Sequence, residues 1–233
     1  MIIHACSFAN SINVFCFCRK VYEAASRNDI SFVREALAGS HGEIPESDLE
    51  LALLRAASNG HKQCVDLLLA SNVSVFSRDG SEDTALILAA QRGHADIVET
   101  LIHRGCPVNY QNSLGYTALM KACAFGHLRV AEMLLANGAD ESSHSSRFDD
   151  EGEMGLSMES RLRRDLPHGY TPLMVTVLKQ ANGYQELMKL LVTAKVDVDE
   201  EDLEGCTVLH HAAKRCDSDA LQILLDGNAN VIT

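Results

Sequence analysis

Between Thr84 and Asn109 the apolar residues fall into two short clusters with a turn between them. Leu86, Ala89 and Ala90 lie on one face of a two-turn helix, where the alanines let a neighbouring element approach closely. Gly93 follows at a turn that calls for positive φ, a conformation in which a side chain would clash. Ile97, Val98, Leu101 and Ile102 then have the i, i+1, i+4, i+5 spacing of a second helix. Gly105 ends that helix, and an extended stretch leads away from it.

This unit recurs. Gly60-His61, Gly93-His94 and Gly126-His127 stand 33 residues apart, with Leu68, Leu101 and Leu134 downstream in the same register. Ala56-Ala57 and Ala89-Ala90 precede the Gly-His pair. A period in the low thirties marks a stacked-repeat protein, whose copies bury their apolar faces only against one another.

Further landmarks keep the same order. Copies open at Thr84-Ala85-Leu86, Thr117-Ala118-Leu119, Thr171-Pro172-Leu173 and Thr207-Val208-Leu209-His210. They close near Leu134-Leu135, Gly138-Ala139-Asp140, Leu190-Leu191 and Leu224-Leu225. A degenerate first copy has Ala24-Ala25, then Asn28-Asp29 in the Gly-His place, with Val33, Ala36 and Leu37 on its second helix. Together these motifs resemble the ankyrin repeat. The resemblance implies an all-α repeat solenoid, an ankyrin-type stack of helix pairs joined by short β-hairpin fingers. The copies are expected near residues 19–47, 48–80, 81–113, 114–140, 168–203 and 204–233, after an apolar N-terminal extension at 1–18.

Two spacings depart from the period. Thr117 and Thr171 are 54 residues apart, which places an insertion at 141–167. Thr171 and Thr207 are 36 apart, and the three extra residues are expected around Gln180-Ala181-Asn182-Gly183, in the turn between two helices.

Composition narrows the class further. Aromatic residues make up only 5% of the chain and Trp is absent, which suits many short, closely packed helices. The net charge of -12 argues against a nucleic-acid binder. Asp197 to Glu204 alone contributes six negative charges. Its Asp-x-Asp-x-Glu start is not a calcium loop, since Asp202 stands where Gly is needed and Val208 where Glu is needed. That segment is either a solvated finger tip or a docking tip for a basic partner.

The eight cysteines do not suggest a disulfide framework, which belongs to small secreted chains lacking a core. Cys64 is in register with Ile97 and Cys123 with Ala90, so both are expected as buried thiols in a reduced, cytoplasmic protein, with the nucleus also open. Residues 1–18 are interrupted by Asn10, Ser11 and Asn13 and lack a basic start, so neither a membrane span nor a secretory signal is expected.

The resemblance implies a partner-binding face built from the first helix of each copy and the finger tips. Register assigns one row to Arg55, Leu88, Lys121, Val175 and His211, and a second row, one turn on, to Asn59, Arg92, Phe125, Lys179 and Arg215. Asp83, Tyr116, Tyr170 and Cys206 stand just before the opening Thr, near the fingers. The candidate contacts are therefore Arg55, Asp83, Leu88, Arg92, Tyr116, Lys121, Phe125, Tyr170, Lys179, His211 and Arg215, a mixture rich in the Tyr, Phe and Arg of interface hot spots.

The expected function is a non-enzymatic adaptor, scaffold or inhibitor that is a monomer and binds a protein, with no cofactor, metal or small-molecule substrate. The alternative is a regulated scaffold whose serine-rich, acidic insertion at 141–167 is the main interaction or modification element. Ser146, with Asp149 three residues on, resembles an acidic-directed kinase site within it. His61, His94 and His127 are expected as turn residues bonded to neighbouring backbone, not as metal ligands. Ankyrin domains are also substrates of an asparaginyl hydroxylase that favours Leu eight residues before the Asn and an aliphatic residue just before it. Asn109 has Leu101 and Val108 in those places, although its side chain is equally suited to hydrogen-bonding a finger.

Overall fold

The computed structural model describes residues 21–39, 44–145, 169–227 and 229. The N-terminal extension at 1–18 and most of the insertion, Ser146 included, lie outside the described residues. The chain divides into two compact units, residues 1–107 and 108–233.

Unit 1 begins with helix α1 (21–27), followed by α2 (Ile30–Leu37), α3 (Glu46–Asn59), α4 (Lys62–Ala70), α5 (Ala85–Arg92) and α6 (Ala95–His103). Unit 2 contains α7 (Ala118–Phe125), α8 (Leu128–Ala136), α9 (Pro172–Lys179), α10 (Tyr184–Thr193), α11 (Val208–Lys214) and α12 (Ser218–Asp226). Odd-numbered helices are the first of each pair and even-numbered ones the second. In unit 1, α3 packs on α5, and α4 on both α2 and α6. In unit 2, α9 packs between α7 and α11, and α10 between α8 and α12. Each unit is thus an all-α repeat solenoid of two helical layers, first helices against first and second against second.

Local chemistry fixes both ends of the first helices. The Thr84, Thr117 and Thr171 hydroxyls accept from the backbone N–H of Ile87, Met120 and Met174 at 3.2–3.3 Å, which satisfies one of the orphan amides of each helix start. In the sixth copy, His210 Nδ1 accepts from the Thr207 N–H at 3.1 Å, and the pair forms a capping box. At the other end every copy turns on a left-handed residue. Gly60, Gly93 and Gly126 have φ of 79°, 78° and 80°, while Asn28, Gln180 and Cys216 hold the same place at 60°, 44° and 55°. Gly126 has a second reason to lack a side chain, because a Cβ there would lie 2.5 Å from the Asn182 carbonyl oxygen.

Two of the three extra residues of the fifth copy lie in the turn where the spacing put them, and the third lengthens α10 to ten residues against nine in α6. Gln180 to Gly183 separate α9 from α10, whereas Gly93 and His94 alone separate α5 from α6. The core between the layers is Ala, Leu, Ile and Val, including Leu68, Leu101 and Leu134, all fully buried.

Cys64 and Cys123 are fully buried and unpaired, as their register implies, and Cys106 is nearly so. Burial pushes the Cys106 thiol up to about 11 and the Cys123 thiol up to about 12. The thiolate is the reactive species, so these groups are inert near neutrality. Brief alkylation of the native protein, read by mass spectrometry of its peptides, should therefore modify the exposed Cys216 while sparing Cys64, Cys106 and Cys123. Rapid labelling of Cys123 without denaturant would contradict the closed contact described between α7 and its neighbours.

Candidate partner-binding surface

Four fingers are built on one plan. Their first residues are Asp79, Asn112, Ser145 and Asp202, and the backbone N–H of each donates to the carbonyl of Asp83, Tyr116, Tyr170 or Cys206 at 2.9–3.1 Å. A second bond closes the tip, from Glu82, Gly115, Gly169 or Gly205 back to the carbonyl of that first residue. All four of these donors have positive φ. The first residue's side-chain oxygen then accepts from the backbone inside the turn. Asp79, Asn112 and Asp202 each take two amides at 2.8–3.0 Å, and Ser145 takes the amide of Tyr170 at 3.0 Å. Short polar side chains stabilise turns in this way. The expected hairpins are therefore tight turns, with isolated antiparallel bridges at Arg78–Thr84 and Glu201–Thr207.

The third of these fingers places the extra residues. Ser145 and Tyr170 are bonded as Asn112 and Tyr116 are, although 24 residues lie between them instead of three. The extra chain enters after Ser145 and leaves before Gly169, and the finger's base keeps the standard geometry. Residues 141–145, which the spacing assigns to the insertion, include that base. The signal was present in the sequence, since Asp79, Asn112 and Ser145 are themselves 33 residues apart.

The residues just inside the fingers turn inward. Asp83, Tyr116 and Tyr170, expected as contacts, are buried, and so is His211. His211 is 6% exposed, and its Nε2 lies 2.7 Å from Asp202 Oδ2, so the last finger is pinned to α11. The Tyr170 ring meets the His211 ring edge-on at 5.4 Å. Burial foremost, aided by the Asp202 carboxylate, pushes the Tyr170 phenol up. Val175, on the same predicted row, is buried as well. Asp83, Tyr116, Tyr170 and His211 are therefore not carried into the partner-binding surface, because their side chains are buried. Asp202, counted with the acidic tip, is also buried.

The other row members do face outward. In unit 1, Arg55, Asn59 and Arg92 are exposed and Leu88 is half-buried. Arg55 donates to the Tyr22 hydroxyl and stacks over that ring at 5.0 Å, and Asn59 donates to the Ser26 carbonyl at 3.1 Å. Both bonds reach back exactly one copy, hence 33 residues. In unit 2, Phe125, Lys179 and Arg215 are exposed, and half-buried Lys121 stands 4.9 Å over the Tyr116 ring. Arg215 donates to Gln180 Oε1 at 2.9 Å.

The turn histidines tie copies together. His61 Nε2 lies 2.9 Å from the Ser26 carbonyl oxygen and His94 Nε2 lies 3.2 Å from that of Ser58. Asn109 is exposed, with Nδ2 donating to the Gly138 carbonyl at 3.0 Å and Oδ1 accepting from the Asp140 N–H at 2.8 Å. Its side chain thus bridges to the following copy.

A family model described as ankyrin repeats matches the sequence three times, over residues 21–112, 53–145 and 155–233. The chain belongs to the ankyrin-repeat family. No curated protein is significantly similar to it. Ankyrin repeats are generally protein–protein interaction modules and are typically non-enzymatic. Among the described residues no three His, Cys, Asp or Glu side chains are grouped to hold a metal ion, and no helix is long and apolar enough to cross a membrane. Within the ankyrin copies of unit 2, α7, α9 and α11 bring Lys121, Phe125, Lys179 and Arg215 to the outer side of one layer of packed helices.

Proposed function

We propose that this protein is a non-enzymatic adaptor, scaffold or inhibitor that holds a protein partner against the outward face of its first helices. The observation that carries this reading is Phe125, 51% exposed at the end of α7 while the rest of that helix's apolar stripe is buried. An exposed aromatic side chain held on a helix, in a layer whose other outward side chains include Lys179 and Arg215, has the composition of an interface hot spot. The contacts are Arg55, Leu88 and Arg92 in unit 1 and Lys121, Phe125, Lys179 and Arg215 in unit 2. The protein acts as a monomer, without cofactor, nucleic acid or small-molecule substrate. Buried, unpaired Cys64, Cys106 and Cys123 support a reducing compartment, the cytoplasm or the nucleus.

A second reading makes the insertion the main interaction or modification element, and one observation favours it. The finger's base at Ser145, Gly169 and Tyr170 keeps its bonds on either side of the insertion. Affinity capture with partners identified by mass spectrometry separates the two readings. One variant is Phe125→Ala; the other deletes residues 146–166, which leaves a three-residue tip between Ser145 and Tyr170. On the first reading, Phe125→Ala weakens binding about tenfold or more with unchanged helicity, and the deletion keeps the partner. Partners lost with the deletion and kept by Phe125→Ala would reverse the assignment.

A further inference from the structure

The first helices of unit 2 carry charge of one sign. About one residue in seven of the chain is acidic, yet α7, α9 and α11 contain no Asp or Glu at all. Their ionic residues are Lys121, Lys179 and Lys214, with Arg215 capping α11. The second helices of the same unit are mixed, with Glu132, Glu186, Asp219 and Asp226 beside Arg129 and Lys189. A cation in the last turn of α9 or α11 is favoured by the helix dipole. Lys121, in the middle of α7, is held over the Tyr116 ring, and neither effect accounts for Phe125 exposed in the last turn. The nearest carboxylate in sequence, Asp217, is already engaged: it accepts from Gln180 Nε2 at 2.6 Å, Tyr184 Oη at 3.0 Å and the Ala220 N–H at 3.0 Å. Among the described residues, no carboxylate pairs with Lys121, Lys179 or Arg215.

We infer that the partner presents an acidic segment to this face, with Asp or Glu side chains meeting Lys179 and Arg215 and an aromatic or aliphatic side chain meeting Phe125. The inference rests on the reading of the first-helix face as the binding surface. Charge complementarity is what selects the occupant. The protein is anionic overall, so a local cationic face gives an acidic segment a favoured place to dock and fixes its register. The apolar contact at Phe125 supplies affinity that screening by salt does not remove.

A display library of short random peptides, selected on the immobilised full chain, tests this directly. The expected result is enrichment of peptides with clustered Asp and Glu around an aromatic or aliphatic residue. Their affinity, measured by fluorescence polarisation, should fall about tenfold or more in Lys179→Glu/Arg215→Glu and weaken with added salt. Glu186→Lys, on a second helix, should leave it unchanged. Circular dichroism checks that the variants fold, and Lys179→Gln/Arg215→Gln replaces the charge-reversed pair should that one unfold. Enrichment of neutral or basic peptides that need Phe125 but not the cations would overturn the acidic class and leave the face standing. Peptides indifferent to both Phe125→Ala and the charge reversal would overturn the face as well. An empty selection, or tight binding of an oligonucleotide through the same cations, would also count against the proposal.

Discussion

Replacing Leu101 or Leu134 by Ala is expected to destabilise the protein by about 2–5 kcal/mol. Both side chains are fully buried, on α6 and α8, and both occupy the same place in their copies as Leu68. Truncation removes the transfer free energy of the lost methyl groups and leaves a cavity that short, rigid helices cannot close. The size of the loss follows from architecture as well as burial. A copy couples mainly to its immediate neighbours, so a cavity acts locally. The damage should be local. Denaturant unfolding of Leu101→Ala, followed by circular dichroism, is expected to separate a weakened unit 1 from a less affected unit 2, and Leu134→Ala to do the reverse. A cost well below about 1 kcal/mol at both sites would mean that these leucines do not lie where the repeat register puts them.

That register was legible because it rests on backbone requirements. A left-handed turn between two short helices restricts the residue there, and a helix start wants a side-chain acceptor; Gly93 and Thr84 announce both. Even degenerate copies obey, with Asn28 and Gln180 taking the left-handed place. The fate of individual row positions was not legible. Phe125, Lys179 and Arg215 share a row and all point outward, whereas Lys121, Val175 and His211 share the other and differ in burial. Row membership fixes an angle around the helix; the neighbouring copy and its finger decide whether water reaches that angle. Tyr170 and His211 are covered because they cover each other. The finger base at Ser145 and Tyr170 keeps its bonds despite the extra chain, so the spacing of opening threonines reports the length of that chain and not its attachment points.

Asp202→Ala should cost about 3 kcal/mol, more than Asp79→Ala, for which about 1–2 kcal/mol is expected. Both carboxylates hold a finger through two backbone amides, Ser81 and Asp83 for Asp79, Glu204 and Cys206 for Asp202. Only Asp202 has a further partner, the buried His211 ring at 2.7 Å. Removing the carboxylate strands that ring nitrogen beneath Tyr170, where water cannot replace the lost bond, and an unsatisfied buried polar group costs more than the bond itself contributes. His211→Ala strands the carboxylate in turn, so the two single variants should each be severe and the double variant less than their sum. Thermal or denaturant unfolding of the four proteins in the cycle measures the coupling directly. Equal costs for Asp202→Ala and Asp79→Ala would show that the His211 bond adds nothing. Loss of partner binding by His211→Ala with stability intact would return that residue to the interface from which its burial removes it.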